Sequence, residues 1–179
     1  FAGAGLALVM FVADSGSREQ IVFWQLGSMN GSRWAEVLLV AAVGVPAAAV
    51  AIALGRRYDL LALGERTATH LGLRVERLRV VSILLVALLT GVGVAFVGIV
   101  MFVGLVVPHL IRMIQGPAHR PLLVASVVGG AALMVWADLI ARTLVAGADL
   151  PIGMLTALIG GPFFFYLVRL TRSRAGGWA

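Results

Sequence analysis

Few side chains in this sequence could do chemistry, and their types and spacing limit what that chemistry is. The fourteen basic residues are all Arg, and Cys is absent. Without Lys there is neither a P-loop amine to reach terminal phosphates nor a Schiff-base amine, so the chain has no Walker A site of its own. Without Cys, thiol catalysis, disulfides and cysteine zinc sites are excluded. His70, His109 and His119 are scattered and form no ligand-spaced pair, so no catalytic residue and no metal site are expected. His109 stands three residues before Arg112, on one helical face, and is read as hydrogen-bonded structure rather than as a metal or haem ligand. Ser82 and Ser126 have no evident acid or base beside them, which argues against an intramembrane hydrolase. Asp138 and Arg142 are four apart, a spacing that favours an intrahelical ion pair; the functional alternative is that Arg142 offers its charge to something outside. The densest polar cluster is Leu61 to Leu73, where Gly64 and Gly72 bound short helices around Glu65.

The elements that position these residues follow from composition. Of 179 residues, 61% are hydrophobic and 12% charged, and mean hydropathy is +1.04. Soluble domains carry only about 45–50% apolar residues. Apolar runs near 20 residues recur along the chain, the length that crosses ~30 Å of hydrocarbon, which predicts an all-α polytopic membrane protein in contact with lipid. The ~10-residue alternation of a transmembrane β-barrel is absent. Phe1 to Ala13 is too short to span and reads as the interior of a helix, so the chain is expected to be a fragment. The polar stretch 14–33 follows, with Trp24 and Trp34 as interfacial anchors.

Spans are predicted over 34–54, 80–97, 121–141 and 151–169, with a shorter return segment over about 104–113 and the turn between Gly98 and Gly104. That hairpin is required because 35 apolar residues in one helix would reach ~50 Å. Eleven arginines fall on one side, in the 55–79 loop, the 112–120 turn and the C-terminal tail. Arg18, Arg33 and Arg142 fall on the other. The positive-inside rule makes the first side cytoplasmic, C-terminus included, and explains the formal charge of +6 without nucleic acid. Ala87, Gly91 and Ala95 form a small-residue stripe that reads as tight helix packing or as a side-chain-poor wall of a solute path. Ala125 and Gly129 form another. Carboxylates are missing from mid-span positions, since Glu36 and Asp138 lie near span ends, which disfavours an ion-coupled secondary transporter.

The segment Leu61, Leu63, Gly64, Glu65, Ala68, Leu71 and Gly72 matches the pattern L-x-L-G-E-x-x-A-x-x-L-G. It resembles the coupling segment of the permeases that import iron-siderophores, haem and vitamin B12, the type II ABC importers. Three further stretches agree in order: Gly98 through Gly104 to Arg112, Ala137 to Arg142, and Asp149 to Gly153 leading to Thr156 through Gly160-Gly161-Pro162 to Phe164. The resemblance covers nearly all of the chain and about the C-terminal half of the family's ten-helix bundle, and implies five to six transmembrane helices here.

It further implies a single permease region over 1–179, with 55–79 as a cytoplasmic coupling loop, in a bacterial inner membrane. The implied partners are an ABC ATPase dimer, a second permease copy and an extracytoplasmic binding protein that delivers an iron chelate such as a ferric siderophore or haem; vitamin B12 is the alternative solute. No cofactor is implied, and ATP hydrolysis would lie on the separate subunit. By the same resemblance Leu63, Gly64, Glu65, Ala68, Leu71 and Gly72 would couple to that ATPase, and Arg142 would meet carboxylates of the binding protein. Alone, the fragment is expected to insert but not to transport.

Overall fold

The computed structural model describes residues 1–144 and 150–175, and every regular element among them is helical. In order these are α1 (Ala2–Val12), α2 (Ser15–Leu26), α3 (Trp34–Ala53), α4 (Gly55–Ala62), α5 (Glu65–His70), α6 (Val75–Val97), α7 (Val103–Gln115), α8 (His119–Thr143) and α9 (Ile152–Ala175). Asp149 of the matched stretch, and the tail beyond Ala175, lie outside the described residues.

Helices α3, α6 and α8 are long and apolar enough to span a bilayer, while α1, α7 and the apolar part of α9 are shorter. At most 6% of any of the three long apolar windows is buried within the chain. Large side chains such as Leu38, Ile83, Leu84, Val128 and Trp136 stand exposed. A soluble helix of this composition would bury an apolar stripe. Here the apolar surface needs lipid or further protein, as a membrane helix does.

The predicted hairpin exists: α6 ends at Val97, the chain reverses over 98–102, and α7 returns. The last helix also starts where Pro151 suggested but extends past residue 169 to Ala175. The stretch 14–33, expected to be simply polar, contains α2. Asp14 caps that helix, its carboxylate accepting from the backbone N–H of Gly16 and Ser17 at 3.1 and 3.3 Å. Weak amphipathicity hid it: apolar Ile21, Val22, Phe23 and Trp24 form a run rather than a stripe.

The end of α2, the 98–102 turn and the start of α9 meet at one place. Ser28 N–H donates to the Val97 carbonyl and Ile152 N–H to the Gly27 carbonyl, each at 2.9 Å. The approach is backbone against backbone. A Cβ on Gly98 would overlap the Trp24 carbonyl, and one on Gly153 would overlap the Leu26 carbonyl and stand 2.6 Å from that of Ile99. Gly98 also has φ +79° and Gly27 φ +74°, a region glycine enters without cost. Beside this junction lies the buried apolar cluster of Ala137, Ala141, Ile152 and Leu155. Phe102, in the left-handed region at φ 67°, covers Gly160, where a Cβ would strike its ring.

The two small-residue stripes behave differently. Gly129 faces Val107 and Ile111 of α7 and permits close α7–α8 packing, as expected. Ala87, Gly91 and Ala95 are exposed; nothing lies within 4 Å of a Cβ on Gly91 among the described residues, while the Ala95 carbonyl accepts the Trp24 indole N–H of α2 at 3.4 Å, so close packing is not seen at Gly91. Gly98→Ala and Gly153→Ala are therefore expected to destabilise by about 3 kcal/mol or more, through overpacking against carbonyls that cannot rotate away. Gly91→Ala should be neutral or stabilising by about 0.5–1 kcal/mol. Thermal unfolding of the detergent-solubilised protein checks the order of the three.

Candidate functional site

At the arginine-rich end the chain between α3 and α6 folds into α4 and α5, and this segment has its own architecture. Gly55 opens α4 against the start of α8, so closely that a Cβ would lie 2.8 Å from the Arg120 Cα. One turn later the Asp59 Oδ1 accepts both the backbone N–H of His119 and its ring Nδ1, each at 2.8 Å. His119 is the first residue of α8, and Ala118 before it has no capping side chain. Asp59 thus caps α8 from another helix. Those hydrogen bonds, the backbone one foremost, hold the Asp59 carboxyl below its usual pKa. Tyr58 sits against the His119 ring with centroids 5.9 Å apart, and its hydroxyl meets Ser82 Oγ of α6 at 2.8 Å. Ser82 therefore has partners after all, including the Leu78 carbonyl at 2.7 Å, because Tyr58 is far away in sequence but adjacent in the fold.

The patterned residues of α5 divide by what they touch. Gly72, at φ +85°, ends the helix: Gly72 N–H donates to the Thr69 carbonyl and Leu73 N–H to that of Ala68, each at 3.0 Å. This is the paired closure of a Schellman motif, and Ala68 beneath it is wholly buried. Gly64 opens the helix at φ +102°. Glu65 is not free, since Arg79 of α6 donates to it at 2.7 Å and to Glu76 at 2.9 Å. That three-residue clamp fixes α5 to α6, and its spacing of fourteen residues gave no helical-face signal. What remains is Leu63 and Leu71, respectively 62% and 59% exposed apolar side chains in an otherwise polar region.

At the opposite end Arg142 Nε meets Asp138 Oδ2 at 2.8 Å, as the i, i+4 spacing predicts. The pair leaves the terminal guanidinium nitrogens without a partner among the described residues. His109 is half-buried in α7, and no cluster of three metal-ligating side chains occurs among the described residues. An apolar hollow of about 350 Å³ lies between α7, α8 and α9, walled by Phe102, Val106, Trp136, Leu155 and Phe163.

A bundle of exposed apolar helices carrying a docked polar segment at one end marks a multi-pass membrane protein. The chain belongs to the FecCD transport family, whose model matches residues 1–170. It is 39% identical over 98% of its length to the hemin transport system permease HmuU of Yersinia pestis, covering 52% of that protein. It is 40% identical over 93% of its length to the vitamin B12 import permease BtuC of Vibrio vulnificus, covering 50%. To the Fe(3+)-citrate import permease YfmD of Bacillus subtilis it is 34% identical over 95% of its length, covering 54%. A solved chain described as a metal-chelate type ABC transporter in an inward-facing conformation superposes with a TM-score of 0.88 at 36% identity, over 93% of this chain and 54% of that one. The chain thus spans about half the length of the curated relatives it matches.

Loss of the inter-helix cap gives a direct test. Asp59→Ala should lower stability by about 1 kcal/mol, toward the lower end of capping values because the carboxylate is partly exposed. His119→Ala should cost less, since the backbone N–H still reaches Asp59. Because the Asp59 pKa is depressed on folding, its contribution is complete above the unfolded value near ~3.9 and is lost as pH falls through the lower folded value. Thermal unfolding of both variants and the parent from neutral to acidic pH checks the ranking and the sign.

Proposed function

We propose that this chain forms the coupling half of a permease in a bacterial ABC importer of iron chelates, ferric siderophores or haem. The observation that carries the reading is the α4–α5 segment. Its glycines and buried Ala68 build a rigid platform, its Glu65 is committed to Arg79, and Leu63 and Leu71 are left uncovered. Exposed apolar side chains on a rigid polar platform suit docking of a second protein. The partner proposed is an ABC ATPase dimer on the arginine-rich, cytoplasmic side, with a second permease copy across the membrane path. Closure of the ATPases would move α5, and the move would pass to α6 through the Arg79 clamp and to α8 through Asp59. The bundle would switch between discrete states as rigid bodies.

The exposed stripe of Ala87, Gly91 and Ala95 suits either the solute path or the second permease copy, since nothing among the described residues packs on Gly91 and only Trp24 reaches Ala95. Relatives include permeases for hemin, vitamin B12 and Fe(3+)-citrate, so vitamin B12 is the competing solute. Reconstituting the complete importer and measuring ATP-driven uptake of haem, ferric siderophores and cobalamin tests the solute class. Uptake of cobalamin alone would overturn the iron-chelate reading.

Two substitutions probe the ends separately. Leu71→Ser should weaken ATPase retention roughly tenfold or more, the equivalent of burying one leucine, while leaving thermal stability unchanged. Gly72→Val should impair both, because a β-branched residue resists φ +85°. ATPase co-purification with an unfolding scan checks this; unchanged retention in both variants would place coupling elsewhere.

At the other end Arg142→Glu should reduce binding-protein affinity more than Arg142→Ala does, by an amount that shrinks with salt. If Arg142 serves only Asp138, affinity will be equal in all three proteins and only stability will fall.

A further inference from the structure

A cleft of about 440 Å³ opens where α3, α4 and α6 come together at the arginine-rich end, bordering the coupling segment at Gly72, and the solute reading does not use it. Three arginines line it, each from a different stretch of chain: Arg57 of α4, Arg74 of the loop and Arg77 of α6. None of the three guanidinium groups has an ion pair or hydrogen bond among the described residues, although those of Arg33, Arg79 and Arg142 do. The neighbouring carboxylates are already taken, Asp59 by His119 and Glu76 by Arg79. The cleft also lies at the start of α6, a 23-residue helix whose N-cap Arg74 supplies no capping side chain. Val75 and Glu76, the first residues of α6, line a separate hollow with Glu65, Thr69 and Arg79, so the donors that face the cleft are the guanidinium groups. Three unpaired guanidinium groups around one hollow select an anion with several oxygens, above all a phosphate.

The rest of the lining is apolar. Val50 and Leu54 of α3, Leu78 and Val81 of α6, and Gly72 and Leu73 of the connecting loop complete it. Val50 is exposed, and so are Val80, Ile83 and Leu84 further along α6, so an apolar surface leads from the cleft along both spans. A soluble anion has no use for such a wall, whereas a phosphate carrying acyl chains fits both parts. A volume of this size falls within the ~300–1,000 Å³ of small-molecule sites.

We propose that this cleft binds the phosphate headgroup of an anionic membrane glycerophospholipid, with its acyl chains along α3 and α6. Arg57, Arg74 and Arg77 supply the charge and the hydrogen-bond donors, and the apolar floor sets the depth. The site would tie one lipid to the hinge between coupling segment and span, whatever solute the importer carries.

The test uses the full complex in nanodiscs of mixed phosphatidylglycerol and phosphatidylcholine, with native mass spectrometry counting the lipids that stay bound. The parent should retain phosphatidylglycerol in preference to phosphatidylcholine. Substituting Arg57→Gln, Arg74→Gln or Arg77→Gln should reduce that retention about fivefold each, and all three together on the order of a hundredfold. The triple Lys variant should keep most of it and confirms that the fold survives. Arg56→Gln and Arg112→Gln, exposed arginines outside the cleft, should leave it unchanged. Undiminished retention in the triple Gln variant overturns the proposal, as does an equal loss in the Arg56 and Arg112 controls. Displacement of the lipid by millimolar inorganic phosphate would make the cleft a bare anion site. Loss of the ATPase subunit with lipid retention intact would make it a protein contact.

Discussion

Backbone meets backbone at Gly27, Gly98 and Gly153, and the path of α6, α7 and α9 depends on that meeting. Helix α7 has 13 residues, a rise of about 20 Å against ~30 Å of hydrocarbon. The turn that precedes it carries polar backbone, which is costly within hydrocarbon unless protein covers it. The cover comes from the end of α2 and the start of α9, with Val97 and Gly27 carbonyls taking N–H groups from Ser28 and Ile152. Side chains at these three glycines would hold the segments apart and leave those carbonyls unsatisfied. The buried cluster of Ala137, Ala141, Ile152 and Leu155 then fills the space that the junction encloses.

The arginine-rich end is assembled by other means. There α4, α5, α6 and α8 are joined through side chains: Asp59 to His119, Tyr58 to Ser82, and Glu65 to Arg79. These bonds are charge-assisted or between hydroxyls, and most are partly exposed. They give the six-residue α5, too short to be stable alone, a fixed position relative to two spans.

Much of the architecture was legible in the sequence because membrane spans announce themselves by composition. The hairpin at Gly98, the span from Trp34, the pair Asp138–Arg142 and the short helices within 55–79 all followed from length, apolar runs and i, i+4 spacing. Helix α2 did not, since its apolar residues cluster and its cap is a single Asp in an otherwise unremarkable polar stretch. Partners distant in sequence were also invisible. Tyr58 and Ser82 are separated by 24 residues and Asp59 and His119 by 60, so nothing local links them. The motif around Gly64 and Gly72 could be matched to a family, but the division of its residues into builders, a clamp and two exposed leucines needed coordinates. The stripe of Ala87, Gly91 and Ala95 shows the converse limit. Its spacing signals close approach without saying whether the approaching surface belongs to the same chain.

The contrast between the two ends has a mechanical meaning. Contacts made by peptide planes have no rotamers to relax into, so the glycine junction resists displacement in every direction. Contacts made by Asp59, Tyr58 and Arg79 can lengthen, swing or exchange for water at modest cost. Stiffness is therefore distributed unevenly along the helices, high at the glycine end and low at the arginine end. A force applied at α5 would turn the spans about a fulcrum near Gly98 rather than slide them, and the largest excursion would occur where the side-chain links are.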